Sequence, residues 1–298
     1  MSLETIRNRL ITIHRCRGIT RRTIRYFFKY DPTLEKIYTL SSKELGRQFL
    51  LSQKNAQLFY SDLHHSSLKE QLQQDKSTYK IITIIDEAYP NVLKRISDAP
   101  LVLYAYGHLS LLHHHPKLSV IGTRKPSPQA WKKTYQLVKP LIKSDWLLVS
   151  GMARGIDSYA HLIALNNHGK TIAVLGGGFH HIYPKENIKL FHEIGKSGLV
   201  LSEYPPHIRP ARHHFPERNR IISGLSPGTL VIEATERSGT MITVDQALEQ
   251  GREVYAVPDS PLVSQSKGCL QLIQDGAKLV IQSEDILEDW HQMHYNQF

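Results

Sequence analysis

The chain has 298 residues, 41% of them hydrophobic, enough to bury a large core, and no apolar run reaches the roughly eighteen residues that a membrane-spanning helix needs. Two cysteines, Cys16 and Cys269, lie far apart and outside any CxxC spacing, which argues against a disulfide framework and a cysteine-based zinc site. A net charge of +10, from 37 Lys and Arg against 27 Asp and Glu, favours a polyanionic partner, and the charge-interleaved start MSLETIRNRL is unlike a secretion signal, so a cytoplasmic location is expected.

Residues 1–75 read as a small helical domain of short amphipathic segments, broken at Gly18, at Asp31-Pro32 and at Ser41-Ser42, the last a suitable cap for SKELGRQFL. Within it RCRGITRRTIRYFF has the outline of a helix, a turn at Gly18 and a second, basic helix. That outline fits a SAM or helix-hairpin-helix nucleic-acid element and fits equally an ordinary helix pair with solvated arginines.

Over residues 76–290 short β-branched runs alternate with amphipathic segments of ten to fifteen residues, the signature of βαβ units. The expected strands are KIITII, LVLYAY, LSVIG, WLLVS, TIAVLG, LVLSE, TLVIEA, EVYAVP and KLVIQ. The expected helices are PQAWKKTYQLVKPLIK, IDSYAHLIALNNHG, KENIKLFHEIGKSG, ERNRIISGL, TMITVDQALEQG and KGCLQLIQDGA. The fold class is therefore α/β, a doubly wound, mostly parallel sheet of extended Rossmann type behind a small all-helical domain. Residues 291–298 are expected to form a tail.

Ligands of open α/β sheets bind beyond the carboxyl ends of the strands. Four of those positions are rich in glycine and small polar residues: Gly122-Thr123-Arg124, Gly151 to Gly155 with Arg154, Gly176-Gly177-Gly178, and Arg237-Ser238-Gly239-Thr240. Glycine allows tight turns and close approach, and the following helix offers free N–H groups to an anion, so a phosphate-binding crevice is expected. Asp157 and His161 share a helix face with Arg154, and an alternative reading makes them a helix cap and an interior histidine. Basic residues also alternate with aromatics in HIYPKEN, with Tyr183 and Lys185, and in RPARHHFPERNRIISG, with Arg209, Arg212, Phe215, Arg218 and Arg220. That mixture suits an unpaired strand, whose phosphates follow the cations while its bases stack on rings.

Other chemistries fit poorly. There is no GxxxxGK[ST], the GGGFHH run has His181 where a dinucleotide motif needs its last glycine, and GLSPG follows a helix instead of the strand a nucleophile elbow requires. The histidines at 113–115, 180–181 and 213–214 lack ligand spacing, so neither a metal nor a cofactor is expected.

The ordered set GTR (122–124), SGMARGID (150–157), TIAVLGGG with YPKEN (171–187), LSEYPP (201–206), FPERNRIISGLS (215–226), EATERSGTMIT (233–243) and GREVYAVP (251–258) closely resembles the DNA-processing protein A family, DprA or Smf. The resemblance implies a Rossmann-like domain that binds and protects incoming single-stranded DNA during natural transformation and loads RecA on it. It further implies a homodimer through the C-terminal part of that domain, around Gly268 to Gly276, and single-strand-binding protein as another partner. Carried over by motif, Arg124 and Lys185 are the leading DNA contacts, with Arg154 and the FPERNR arginines in the same pocket. This chain departs from the family's pattern at Pro258-Asp259-Ser260, where P-G-S is usual, and at Lys267-Gly268-Cys269, where G-x-N is usual, which puts loop geometry near the dimer surface in doubt.

Two enzymatic alternatives have a sequence discriminator. A nucleotide-cleaving phosphoribohydrolase on a related fold carries G-T-x-x-E, whereas this chain has Gly239-Thr240-Met241-Ile242-Thr243, with a hydroxyl in place of the carboxylate that would stabilise a positive sugar. A nuclease needs clustered acidic metal ligands that the sequence lacks. A binding protein without catalytic residues is the expectation.

Overall fold

A computed structural model of the chain describes residues 2–295, with side-chain burial to residue 292. All nine β-branched runs form strands, seven of them shorter than the expected run because the flanking residues turn out into loops. The chain divides into two compact units, residues 1–89 with 100–104 and residues 90–99 with 105–298. The division falls later than residue 75, and it does so because residues 80–89 are tied into the first unit. Arg7 donates from Nε to both carboxylate oxygens of Asp86, at 2.9 and 3.0 Å, and from Nη2 to the Ile81 carbonyl at 2.6 Å.

The first unit holds α1 (Leu3–Arg15), α2 (Arg21–Tyr30), α3 (Ser42–Gln48), α4 (Gln53–His64), α5 (Ser67–Thr78) and β1 (Lys80–Thr83). Its helix starts follow local chemistry: Thr20 with Thr23 and Ser41 with Glu44 form reciprocal capping boxes, and Ser52 accepts from the Asn55 N–H. Gly18 has φ +81, and a Cβ there would stand 2.3 Å from the Asn55 carbonyl oxygen, so the turn between α1 and α2 admits only glycine.

The second unit begins with α6 (Asn91–Lys94); β2 (Val102–Gly107) carries the division within it. There follow β3 (Lys117–Ile121), α7 (Ala130–Lys143), β4 (Leu147–Ser150), α8 (Ile156–Asn166), β5 (Thr171–Leu175), α9 (Ile188–Ser197) and β6 (Leu199–Ser202). The unit closes with α10 (His214–Gly224), β7 (Gly228–Val231), α11 (Gly239–Glu249), β8 (Glu253–Ala256), α12 (Lys267–Gln274), β9 (Lys278–Leu279) and α13 (Glu284–Tyr295). Its strands run in the order β6-β5-β4-β3-β7-β8-β9, every pair parallel. Strand periodicity sorts the two faces: Leu118 and Val120 pack with α7 and α8, while Ser119 between them donates to the Ile222 carbonyl of α10 at 2.7 Å. Both faces are thereby covered, which is why the strands read as continuous apolar runs.

From β3 the chain winds one way through β4, β5 and β6, then crosses to β7 and winds the other way. The topological switch point therefore lies between β3 and β7, the place where this architecture opens a crevice. The tail expected from residue 291 is mostly helical instead: α13 runs to Tyr295 because Trp290 packs edge-on against Trp146, ring centroids 5.3 Å apart, and residues 296–298 lie outside the described residues. Among the described residues no helix is long and apolar enough to cross a membrane.

His161, on α8, is fully buried. Thr171 Oγ1 donates to the Leu148 carbonyl at 2.9 Å, so at 2.7 Å it accepts from His161 Nδ1. Burial lowers the imidazole from 6.5 to about 3, and His14 in the first unit falls to about 4 for the same reason. Both folded values lie below the unfolded one, so on acidification below 6.5 the unfolded chain gains protons that the folded chain refuses, and stability falls by about 1.4 kcal/mol per pH unit for each histidine. Thermal unfolding from pH 7 to pH 4 should show this decline, and His161→Gln, which retains a donor for Thr171, should make it shallower.

Candidate nucleic-acid interface

The loop after β3 is built by its neighbours. The Thr123 N–H donates to the Glu233 carbonyl at the end of β7, at 2.7 Å, which joins the two strands that flank the switch point. Gly155, at φ +74, lies against the same loop, where a Cβ would stand 2.3 Å from the Thr123 carbonyl oxygen. The Glu233 carboxylate accepts from the Ser127 N–H at 2.8 Å, the Ser127 hydroxyl at 2.5 Å and Lys133 Nζ at 2.6 Å. Held at both ends, the loop presents Arg124 to solvent, with its guanidinium carbon 5.4 Å from the centre of the Phe215 ring. Tyr183, 49% exposed, meets the same ring at 5.5 Å between centroids.

Arg124 and Phe215 open onto a cavity of about 710 Å³. Of the expected residues, Gly122, Thr123, Arg124, Arg212, Phe215, Arg218, Ser238, Gly239 and Thr240 line it, the last three at the N-terminus of α11, where a Cβ on Gly239 would meet nothing within 4 Å. Lys125, Asn219, Ile242, Thr243 and Gln265 line it too and were not anticipated. Lys125 adjoins a motif and Asn219, Ile242 and Thr243 lie inside motifs, a usable signal, whereas nothing in the sequence marks Gln265.

Other expected residues have different work. Arg218 is only 4% exposed and forms part of the cavity wall, its Nη1 donating to the carbonyls of Gly151 at 2.5 Å and Val174 at 2.6 Å. Burial brings its guanidinium down to about 10, and burial also pushes the neighbouring Asp157 carboxyl up, against the pull of Arg218. Asp157 accepts from the Gly151 N–H at 3.2 Å, so it braces the loop from inside the first turn of α8, while Gly155 holds the cap position. Gly151 is glycine because a Cβ would stand 1.9 Å from the Arg218 guanidinium; its space is filled by that side chain, not left for a phosphate.

Arg220 is turned away from the crevice and buried, its Nη2 bonded to the Glu203 carboxylate and its Nε 3.5 Å from Asp98. Arg154 is exposed but outside the cavity lining, paired side by side with Glu186 at 2.5 and 2.8 Å. Lys185 stands exposed on the single turn Lys185–Asn187, two residues beyond Tyr183 and also outside the lining. The triple glycine is covered: Cβ atoms would strike the Phe215 ring from Gly176, Pro210 from Gly177 and the Pro205 and Pro206 carbonyls from Gly178, all within 3 Å. Those glycines serve close packing of one loop on another, so they do not form an open anion cradle.

The departures from the family's pattern also have a local account. Asp259 reaches Lys133 Nζ, which bridges it to the buried Glu233, and the Gly268 N–H donates to the Ala234 carbonyl at 2.8 Å.

A family model described as DNA recombination-mediator protein A matches residues 80–291. The DNA processing protein DprA of Bacillus subtilis is 46% identical over 208 residues, 70% of each chain, and that of Streptococcus pneumoniae is 46% identical over 219 residues, 74% of this chain and 77% of the relative. The X-ray structure of DNA processing protein A from S. pneumoniae superposes with a TM-score of 0.82 at 38% identity, covering 94% of this chain and 95% of that one. A structure of DNA processing protein A from Helicobacter pylori, described for its single-stranded DNA binding mode, superposes with a TM-score of 0.64 at 29% identity, covering 72% of this chain and 96% of that one.

The contrast between wall and rim is measurable. Arg218→Met strands two carbonyls and the Asp157 carboxyl and should cost about 3 kcal/mol of unfolding free energy. Arg124→Ala should change it by less than about 0.5 kcal/mol. Urea unfolding of the two variants beside the parent checks both.

Proposed function

This chain belongs to the DNA recombination-mediator protein A family, and on that premise we propose that it is a single-stranded DNA-binding protein that holds the strand in the crevice at the β3–β7 switch point, protects it and loads RecA on it in natural transformation. The observation that carries this reading is an exposed guanidinium, Arg124, poised over the Phe215 ring at the mouth of a cavity whose floor includes the N-terminus of α11. An anion entering there meets Arg124, Arg212, and the first turn and positive dipole end of α11, which has no side-chain cap. A base splayed from the strand meets Phe215 and the exposed Tyr183. Lys185 supplies charge beside Tyr183. Such contacts read phosphates and ring faces, so they tolerate any sequence.

The protein acts in this reading without bond chemistry: Thr243, where a phosphoribohydrolase has its glutamate, contributes a neutral hydroxyl to the cavity. It works in the cytoplasm as a homodimer through residues 268–276, with RecA and single-strand-binding protein as its partners, following the family resemblance.

Anisotropy titrations of labelled oligothymidine across a potassium chloride series test the site. For each phosphate neutralised the log–log salt slope should steepen by about 0.7. Arg124→Glu combined with Lys185→Glu should weaken binding at least a hundredfold and flatten the slope by about 1.4 while leaving the melting temperature in place. A double variant with parental affinity, or a preference for duplex over single strand, would remove the reading.

A further inference from the structure

The segment that follows Arg124 leads to a second surface of the same chemistry. Lys125 and Lys132 are exposed, and between them in sequence Trp131, in the first turn of α7, is 39% exposed. Its indole meets Tyr159, in the first turns of α8, edge to face with centroids 5.1 Å apart and planes at 78°. Both helices start at the carboxyl edge of the sheet, and Pro126 of the Arg124 loop lies within 3.1 Å of where a Gly155 Cβ would be, at the start of α8. The aromatic pair thus sits beside the crevice rim, on the far side of the loop that carries Arg124.

Trp131 lies in sequence between two exposed lysines, Lys125 and Lys132. A seven-residue separation from Arg124 limits the distance to about 25 Å, within the reach of a strand that occupies roughly 4 to 16 nucleotides per domain. The loop between is stiff, with the Lys125 N–H bonded to Thr123 Oγ1 at 3.2 Å, Ser127 bonded to Glu233, and the Ala130 N–H bonded to the Ser127 carbonyl at 3.1 Å. Charge and aromatic face together fit a polyanion with exposed bases better than they fit an apolar partner.

We propose that Trp131, steadied by Tyr159, is a stacking platform for an unpaired base of a strand leaving the crevice, with Lys125 and Lys132 on the flanking phosphates. This rests on the crevice reading and extends it, and the test separates the two. The other two tryptophans are partly or fully buried against one another, Trp146 being 4% exposed and in contact with Trp290, so Trp131 reports on this surface.

Oligothymidine long enough to pass the crevice, about 20 nucleotides, should quench the tryptophan emission of the full chain, and Trp131→Phe should abolish the quench with the fold unchanged. Trp131→Ala and, independently, Lys132→Glu should each weaken the 20-mer roughly tenfold while leaving an oligomer of about 5 nucleotides bound as before. Quenching that survives Trp131→Phe, or a 20-mer affinity untouched by both other variants, overturns the platform. So does a Trp131→Ala chain that binds DNA normally but fails with a protein partner, which would make the surface a protein-docking site. Failure of the crevice itself looks different: Arg124→Glu with Lys185→Glu would then still bind the 5-mer.

Discussion

The hydrogen bond from the Thr123 N–H to the Glu233 carbonyl joins the ends of β3 and β7, the two strands from which the chain winds in opposite directions. Without that junction the two loops would be independent and the crevice would have no fixed width. The Glu233 carboxylate reinforces it by gathering Ser127 and Lys133, and Lys133 extends the network to Asp259 after β8. A buried carboxylate is tolerable here because each oxygen accepts a bond and a cation lies against it. Loops from three neighbouring strands are set by one acidic side chain.

Around this junction the basic residues divide by burial. Arg218 and Arg220 lie deep in the domain, where a guanidinium must find acceptors, and they find them in strand-end carbonyls and in Glu203. Arg124 remains at the surface, over an aromatic face that orients it without neutralising it. The two buried arginines lie two positions apart in one short motif, yet Arg218 forms part of the cavity wall while Arg220 turns to Glu203. On a helix two positions are about 200° apart, so neighbours in a basic cluster point to opposite sides. Glycines divide the same way: Gly239 leaves open space at a helix start, while Gly151 and Gly176 to Gly178 make room for protein groups.

The first unit follows a simpler logic, with caps, a glycine turn and the bond from Arg7 to Asp86 determining where it ends. The unexpected boundary beyond residue 75 comes from one long side chain reaching across many residues of sequence, which no local pattern announces.

Much was legible from sequence because it is local. Alternating β-branched and amphipathic runs identify all nine strands and the six helices α7 to α12, since burial on both faces demands continuous apolar strands and one-sided helices. The position of the crevice follows as well, because strand-end loops of a doubly wound sheet face one edge. Side-chain direction and competition for partners were not legible. GGG and GMARG read alike as anion loops, and the fate of each depends on whether Pro205, Pro206 and Pro210 or the Arg218 guanidinium fills the space. Arg154 reads as a phosphate ligand until Glu186, 32 residues away, arrives beside it. Sequence by itself determined the elements, their order and the edge at which the crevice opens, since these follow from periodicity within short windows. Only the tertiary structure decided which cations and glycines line that crevice, since that depends on groups brought together from distant parts of the chain.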